Sequence, residues 1–154
     1  MNKILIAVDD TKSSKEIFAK CTHICKCMAP EEIILLYVEK FAGRSLMDEM
    51  LGDAELSTLR EVVHGTEFKE AMDEKAEKIL NFYKGALEER SPVPSIRTMV
   101  KAGIPAETIV QTAKDEDVSM IIIGSRGKRV SHLFMGSVSR EVANTADRPV
   151  MIVK

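Results

Sequence analysis

The sequence lacks any long apolar run. None of its hydrophobic stretches approaches the ~18 consecutive residues that read as a membrane-spanning helix. Near the amino terminus, the apolar stretch extends only from Ile4 to Val8 before Asp9, which is too short for the hydrophobic segment of a signal peptide. Because both features are missing, we expect a protein of the cytoplasm without a membrane partner.

The sequence also lacks an excess of charge of either sign. It contains 22 Lys and Arg residues against 24 Asp and Glu residues, with a formal net charge of -2 and an isoelectric point near 6.0. Proteins that bind nucleic acids usually present a basic face to the phosphates, so the overall charge predicts no nucleic-acid partner. A length of 154 residues suffices for one hydrophobic core, and we expect a single domain over residues 1–154.

Cysteine is scarce. The chain has three, Cys21, Cys25 and Cys27, with His23 among them. An odd number of cysteines in a chain without export signals predicts reduced thiols. On a helix, Cys21 and Cys25 share one face while His23 and Cys27 lie almost opposite, so the four cannot surround one metal ion. We expect Cys21 and Cys25 to be buried as small hydrophobic residues, and only Cys27 to react quickly with a thiol reagent.

Short apolar stretches alternate with segments of helical periodicity. The predicted strands are Lys3 to Val8, Glu32 to Val38, Ile96 to Val100, Ser119 to Ile123 and Val150 to Val153. Four helices are predicted. The first begins after Asp10 and ends at about Met28, and the others run from Glu67 to about Glu89, from Ala106 to about Lys114, and from Ser137 onward. When right-handed crossovers connect such βα units, the strands form a parallel sheet with helices on both faces. We therefore predict a five-stranded, doubly wound α/β domain of Rossmann-like type.

Two local features accompany these elements. Thr11, Ser13 and Ser14 are candidate N-caps of the first helix, and Ser13, with Glu16 three residues later, fits a capping box. Glu39 to about Thr66 contains glycines and charges without one clear period, so we interpret it as a loop with a short helix. Its length and position suggest a lid, although a surface loop has the same composition.

The stretch 121–142, IIIGSRGKRVSHLFMGSVSREV, predicts a strand, a glycine-bearing loop and a helix N-terminus. The first turn of a helix has unpaired N–H groups and the positive end of the macrodipole, so anions bind there. Gly124, Gly127 and Gly136 allow positive φ and close approach of a phosphate, and Ser137 can donate a hydroxyl. The basic residues in the loop are Arg126, Lys128 and Arg129. We predict a phosphate site, the alternative being that the glycines only turn the chain.

This loop lacks the features of two common nucleotide motifs. No Gly-Lys-Ser or Gly-Lys-Thr follows it, and the spacing Gly-x-Gly-x-x-Gly is absent. In parallel sheets, ligands bind beyond the carboxyl ends of the strands where the strand order reverses. Asp9 and Asp10 follow the first strand, and Gly124 ends the fourth. If these two strands are neighbours, one crevice contains the acidic pair, the glycine loop and the end of the second strand at Val38.

Five segments, in this order and spacing, resemble the universal stress protein family over essentially the whole chain. They are KILIAVDDTKSS, ILLYV, VKAGIPAETIV, IIIGSRG with GSVSREV, and RPVMIVK. The resemblance implies the adenine nucleotide alpha hydrolase-like variant of the fold. Two departures stand out. Asp10-Thr11 replaces a common Gly-Ser and stiffens that turn, and the loop is one residue short.

Nucleotide-binding members of the family carry Gly-x2-Gly-x9-Gly followed by Ser or Thr, whereas Lys128 to Met135 is eight residues here. By resemblance, Asp9 bonds the ribose or helps to hold a metal, and the Val38 backbone reads the adenine edge. The residues assigned to the phosphates of ATP, with Mg²⁺, are Gly124, Arg126, Gly127, Lys128, Gly136, Ser137 and Val138. The alternative for Asp9 is an aspartate that only caps the turn.

The sequence is compatible with three functions. The first is an ATP-binding regulatory stress-response protein that is non-catalytic or weakly catalytic. The second is a slow ATP hydrolase or nucleotidyl transferase that uses Asp9 and a divalent cation, although no His or carboxylate can be placed beside an attacking water. The third is an interaction protein of the same family that binds no nucleotide, which the short loop would permit.

The last predicted strand suggests a homodimer. Val150 to Val153 is apolar on both faces, and an uncovered edge strand of this kind is a template for pairing with another copy. The family resemblance implies the same contact. The alternative is that the protein's own helices cover this strand.

Overall fold

The computed structural model describes residues 2–40, 67–90, 95–125 and 135–154, which form five strands and four helices. The strands are β1 (Lys3–Val8), β2 (Glu32–Glu39), β3 (Ser95–Ala102), β4 (Met120–Gly124) and β5 (Val150–Val153). The helices are α1 (Lys12–Met28), α2 (Glu67–Arg90), α3 (Pro105–Asp115) and α4 (Ser137–Thr145). Each predicted strand and each of the four main predicted helices is confirmed, with ends that differ by a residue or two, whereas the short helix predicted between Glu39 and Thr66 lies outside the described residues.

The five strands form one parallel sheet in the order β3-β2-β1-β4-β5. In its centre, Ile6 of β1 pairs with Leu35 of β2 on one side and with Ile122 of β4 on the other. β3 lies at one edge of the sheet, and β5 lies at the other. The condition that the first and fourth strands are neighbours is therefore confirmed.

Helices cover both faces of the sheet, and each face has its own core. One core joins Ile4 and Ile6 of β1 with side chains of α1 and α2, and the other joins Leu5 with side chains of α3 and α4. Successive residues of a strand point to opposite faces, so β1 needs apolar side chains at every buried position. This explains the continuous apolar sequences of the inner strands and confirms the doubly wound α/β fold.

The direction of the chain reverses between β1 and β4. From β1 the chain passes through α1 to β2 and then through α2 to β3 at one edge. It then returns through α3 to β4, on the other side of β1, and continues through α4 to β5 at the opposite edge. Crossovers of one hand place helices on opposite faces when this direction reverses, as the two cores show. The carboxyl ends of β1 and β4 therefore flank the topological switch point.

One of the three candidate N-caps begins α1. The N-cap residue is Thr11, with φ -82° and ψ 155°, and its side chain accepts a bond from the Ser14 N–H at 3.3 Å. The predicted capping box on Ser13 is wrong, because the helix begins at Lys12. The physical reason is that Asp9 binds both the N–H and the hydroxyl of Thr11, which sets the turn ahead of Ser13.

The cysteines lie where the helical periodicity placed them. Cys21 and Cys25 are 0% and 1% exposed in the core between α1 and the sheet, and Cys27 is exposed. The prediction of two buried thiols and one accessible thiol is confirmed. Across the described ranges, no helix combines the length and the apolar character that crossing a bilayer requires.

We expect the free energy of unfolding to fall as the pH rises above about 9. Burial raises the pKa of Cys21 from 9.0 to about 12 and that of Cys25 to about 11. As the pH rises, the thiols of the unfolded chain ionise before those of the folded chain. The free energy of unfolding is therefore undiminished below about pH 9 and falls as the pH rises through the folded pKa values, by on the order of 2 kcal/mol per thiol at about pH 10.5. Urea unfolding at several pH values measures this loss.

The control is the Cys21→Ala/Cys25→Ala double variant, which should lose less stability over the same pH range. Burial also raises the pKa of Tyr83 to about 12, so part of the loss above about pH 10 should remain in this variant. An identical pH profile for the double variant would rule out the two thiols as its cause.

Candidate functional site

Three predicted site segments meet at the carboxyl edge of the sheet. Val8 pairs with Tyr37, so that Asp9 and Val38 each come one residue later on adjacent strands. Ala7 pairs with Ile123, so Ser125 stands level with Asp9 on the other side. The fold thus brings the end of β2, the turn after β1 and the start of the glycine loop into one row. Val38 is only partly buried, against the core on the α3 and α4 face.

Ser125 joins the end of β4 to the start of α4. Its carbonyl accepts the Gly136 N–H at 2.7 Å and lies 3.2 Å from the Ser139 hydroxyl, which also reaches the Gly136 carbonyl at 3.0 Å. Its own N–H donates to the Val153 carbonyl of β5 at 2.8 Å. Ser125 and Ser139 are 4% and 2% exposed, so water competes little for these bonds. The first turn of α4 is therefore held against the end of β4.

This first turn has the features of an anion site. The N-cap residue is Gly136, which has no side chain, and among the described residues no side chain caps the helix. The first bond inside the helix runs from the Arg140 N–H to the Gly136 carbonyl at 3.1 Å. Helical geometry therefore gives the N–H groups of Ser137, Val138 and Ser139 no acceptor within α4. They point beyond the helix start, where the macrodipole favours negative charge.

Two of the loop glycines do not use the positive φ that glycine allows. Gly136 has φ -62°, and within the described ranges Gly103 is the glycine with positive φ, so Gly124 does not adopt that conformation either. The N–H of Gly136 is directed to the Ser125 carbonyl. Amide donation to a guest therefore falls to the residues that follow Gly136, and close approach of a phosphate to Gly124 and Gly136 stays a prediction.

Asp9 is held by several neighbours. Its Oδ1 accepts the Thr11 N–H at 2.9 Å and also the Thr11 hydroxyl. Its own N–H donates to the Ser14 hydroxyl at 3.1 Å, and its carbonyl accepts the Tyr83 hydroxyl at 3.1 Å. Asp9 therefore does cap the turn after β1, and these bonds do not decide whether this is its only role. Contact of Asp9 with a ligand stays a prediction, since Oδ2 takes part in none of these bonds.

A basic residue partly neutralises the acidic pair after β1. Lys75 of α2 lies 2.9 Å from Oδ2 of Asp10, and this hydrogen bond raises the pKa of Lys75. The pairing of Lys75 with Asp10 offsets one of the two adjacent negative charges at the end of β1. A polyanion is therefore less strongly repelled here than two adjacent aspartates suggest.

Some predicted residues lie outside the described ranges, and some contributors were missed. Arg126, Gly127, Lys128 and the predicted lid beyond Lys40 are not described. Four residues that were not predicted contribute to the geometry of this edge: Ser14, Tyr83, Ser125 and Ser139. Ser139 had a local signal, since a serine in the first turn of a helix can bond back to the N-cap carbonyl. Tyr83 had none, because it is 74 residues from Asp9.

Known proteins resemble this chain in both sequence and fold. The family model described as the universal stress protein family matches residues 1–154. The universal stress protein MJ0577 of Methanocaldococcus jannaschii is 32% identical over 158 residues, covering 100% of this chain and 96% of that protein. A solved structure of MJ0577 superposes with a TM-score of 0.77 at 28% identity, covering 99% of this chain and 95% of the other.

Two more distant structures share the fold. A universal stress protein family member of Arabidopsis thaliana with AMP bound has a TM-score of 0.64 at 21% identity, covering 100% of this chain and 92% of the other. The universal stress protein of Archaeoglobus fulgidus in complex with dAMP has a TM-score of 0.59 at 18% identity, covering 100% and 98%. With the family model matching end to end, this chain belongs to the universal stress protein family.

Proposed function

We propose that this chain is a regulatory stress-response protein of the cytoplasm that binds ATP with Mg²⁺, as a single domain over residues 1–154 and as a homodimer. The observation that carries this proposal is the uncapped first turn of α4, fastened to the end of β4 by Ser125 at the switch point of the sheet. Relatives of this fold hold AMP and dAMP, which supports an adenine nucleotide as the guest.

The residues at this edge fit the parts of a nucleotide. The N–H groups of Ser137 and Val138 would bind phosphate oxygens, with space provided by Gly124 and Gly136. Asp9 would accept a ribose hydroxyl through its carboxylate, and the Val38 backbone would meet the adenine edge. The loop residues assigned by resemblance to the phosphates are Arg126, Gly127 and Lys128. Mg²⁺ would be held chiefly by phosphate oxygens, as is usual for nucleotide complexes.

Binding fits the geometry of Asp9 better than turnover does. Its Oδ1 already accepts two bonds from Thr11, which hold the carboxylate in one orientation and leave Oδ2 for contact with a guest. A general base must also reach the attacking water within hydrogen-bond distance. We therefore assign Asp9 to ligand contact and propose that ATP hydrolysis, if measured with Mg²⁺, stays near the uncatalysed background.

Titration of the purified protein with ATP and Mg²⁺ tests this function. We expect a dissociation constant in the micromolar range by isothermal titration calorimetry, and adenine nucleotide released on denaturation should appear on an anion-exchange column. A series of ATP, dATP and AMP then ranks the contributions of the ribose and the phosphates. Absence of both released nucleotide and binding at millimolar ATP would leave the third function, a nucleotide-free interaction protein.

The homodimer is supported by the edge position of β5. Val150, Met151 and Ile152 are only partly buried. Pro149 and Val153 direct their carbonyls to β4, where they accept bonds from Ile121 and Ser125 at 2.9 Å and 2.8 Å. Because successive backbone groups alternate in direction, the N–H and C=O groups of Val150 and Ile152 point away from β4. A second β5 could pair with this edge across a two-fold axis.

The Ile152→Pro variant should be a monomer. Proline removes the Ile152 N–H, which points to the open edge, and its ring occupies the position that a second strand needs. The bonds from β4 to Pro149 and Val153 are retained, so the sheet itself should persist. Sedimentation velocity at micromolar concentration measures the change from dimer to monomer.

The control is Ile152→Val, which keeps the N–H and most of the side chain and should remain a dimer. Circular dichroism of both variants verifies that the fold is retained. A monomeric wild-type protein, or a dimeric Ile152→Pro variant, would exclude β5 pairing as the basis of assembly.

A further inference from the structure

Tyr83 places a hydroxyl group where the hydrophobic core meets the candidate site. The residue lies in α2, is 2% exposed, and its ring centroid is 4.6 Å from that of Phe18 in α1. Its hydroxyl donates to the Asp9 carbonyl at 3.1 Å. Burial raises the pKa of Tyr83 to about 12, so the phenol keeps its proton and remains a donor at neutral pH.

Asp9 is consequently fixed from three directions. Ser14 of α1 accepts its N–H, Tyr83 of α2 donates to its carbonyl, and Thr11 donates to Oδ1. The first two bonds restrain the backbone of Asp9, and the third restrains its side chain. A carboxylate held in this way loses little conformational entropy when it binds a guest, which is the general basis of preorganised recognition.

The packing of Tyr83 does not itself require a hydroxyl. A phenylalanine would fill the same volume and make the same ring contact with Phe18. A buried hydroxyl costs free energy unless it finds a partner, so a tyrosine here gains only through the group that it reaches. The hydroxyl donates to the carbonyl of Asp9, which stands beyond the last residue of β1 and so needs a donor from outside the sheet ladder. It also meets the side-chain hydroxyl of Ser14, which itself accepts the Asp9 N–H, so both of its contacts lead to Asp9.

We propose that Tyr83 is a positioning residue that, by holding the Asp9 carbonyl, orients the Asp9 carboxylate toward the ribose hydroxyls of the bound nucleotide. This inference rests on the proposed function and adds a role for α2 in it. Tyr83 touches no ligand, and its effect passes through Asp9. It therefore sets how strongly the protein distinguishes a ribonucleotide from a nucleotide that lacks ribose hydroxyls.

The test compares the affinity for ATP with that for 2′,3′-dideoxy-ATP, measured with Mg²⁺ by calorimetry. We expect the wild-type protein to prefer ATP by about tenfold or more, as a hydrogen bond to a charged group predicts. In Tyr83→Phe, most of this preference should be lost, while the affinity for the dideoxy nucleotide stays within about twofold. The variant keeps the aromatic ring, and circular dichroism verifies its fold.

A double-mutant cycle shows whether the effect of Tyr83 on nucleotide preference passes through Asp9. Asp9→Ala should abolish the preference for ATP, and adding Tyr83→Phe to that variant should change neither affinity further. The matched control is Thr112→Val, which removes a buried hydroxyl that donates to the Thr108 carbonyl at 2.6 Å on the other face of the sheet. This control should keep the wild-type preference even if it lowers the melting temperature.

Three results would overturn the assignment. In the first, Tyr83→Phe weakens both nucleotides equally, which shows only a structural role. In the second, the variant keeps the full preference for ATP. In the third, the effect of Tyr83→Phe persists without the Asp9 carboxylate. Failure of the wild-type protein to bind either nucleotide is a different result, since it refutes the proposed function and this inference with it.

Discussion

Gly136→Val should reduce ATP affinity by about a hundredfold or more while the chain stays folded. Gly136 has φ -62° and ψ 154°, a conformation that valine adopts readily, so the substitution introduces no backbone strain. The isopropyl group would instead occupy the space next to the uncapped first turn of α4, where the phosphates are proposed to lie. Loss of phosphate contacts with two or more amides accounts for the size of the effect, at about 1.5 to 3 kcal/mol for each bond to a charged group.

Calorimetric titration with ATP measures this loss, and Gly85→Ala provides the control. Gly85 lies in α2, and a Cβ at this position meets nothing within 4 Å. Alanine in a helix interior should raise the stability by about 0.5 to 1 kcal/mol and leave ATP affinity unchanged. Wild-type affinity in a folded Gly136→Val protein would show that the phosphates do not lie at the start of α4.

Gly103→Ala should lower the free energy of unfolding by about 2 to 4 kcal/mol. Gly103 has φ +154°, a conformation that residues with a Cβ rarely adopt, and an added Cβ would lie 2.6 Å from Oγ1 of Thr108. The Gly103 N–H donates to the Glu39 carbonyl at 3.0 Å, which ties the turn after β3 to the end of β2. Strain at this turn therefore also disturbs the strand that carries Val38. Urea unfolding measures the loss.

The two causes can be separated in the Thr108→Ala background. There the close contact with Oγ1 is removed, so Gly103→Ala should cost less, and the cost that remains reports the unfavourable φ. If the cost is the same in both backgrounds, the side-chain contact contributes nothing. If Gly103→Ala is neutral in the wild-type background, the turn adopts a different conformation in solution.

Local physical rules explain why so much of the fold could be predicted. Ile4 to Val8 is apolar at consecutive positions because both faces of β1 are covered, and this pattern is visible without any tertiary information. The helical stripe through Cys21 and Cys25 depends only on the helical period of 3.6 residues per turn. The order of motifs then matched a known family, and the end-to-end family match agrees with it.

Errors arose where a side chain beyond the local segment, or a competing local bond, decided the outcome. Ser13 and Thr11 were both reasonable N-caps by residue type, and the bonds from Thr11 to Asp9 selected the second. The same holds for Gly136, whose φ is set by the bond from its N–H to Ser125 and not by a need for positive φ. Propensity describes what a segment permits, and contacts select among the permitted states.

The sequence by itself determined the alternation of strands and helices, the family and the position of a glycine-bearing loop ahead of α4. Those properties follow from hydrophobic periodicity, glycine placement and helix polarity, which are local. Only the tertiary structure decided that Asp9, Val38 and Ser125 stand in one row and that Tyr83 reaches Asp9 across 74 residues. Such contacts depend on strand order and register, which arise from the packing of the whole chain.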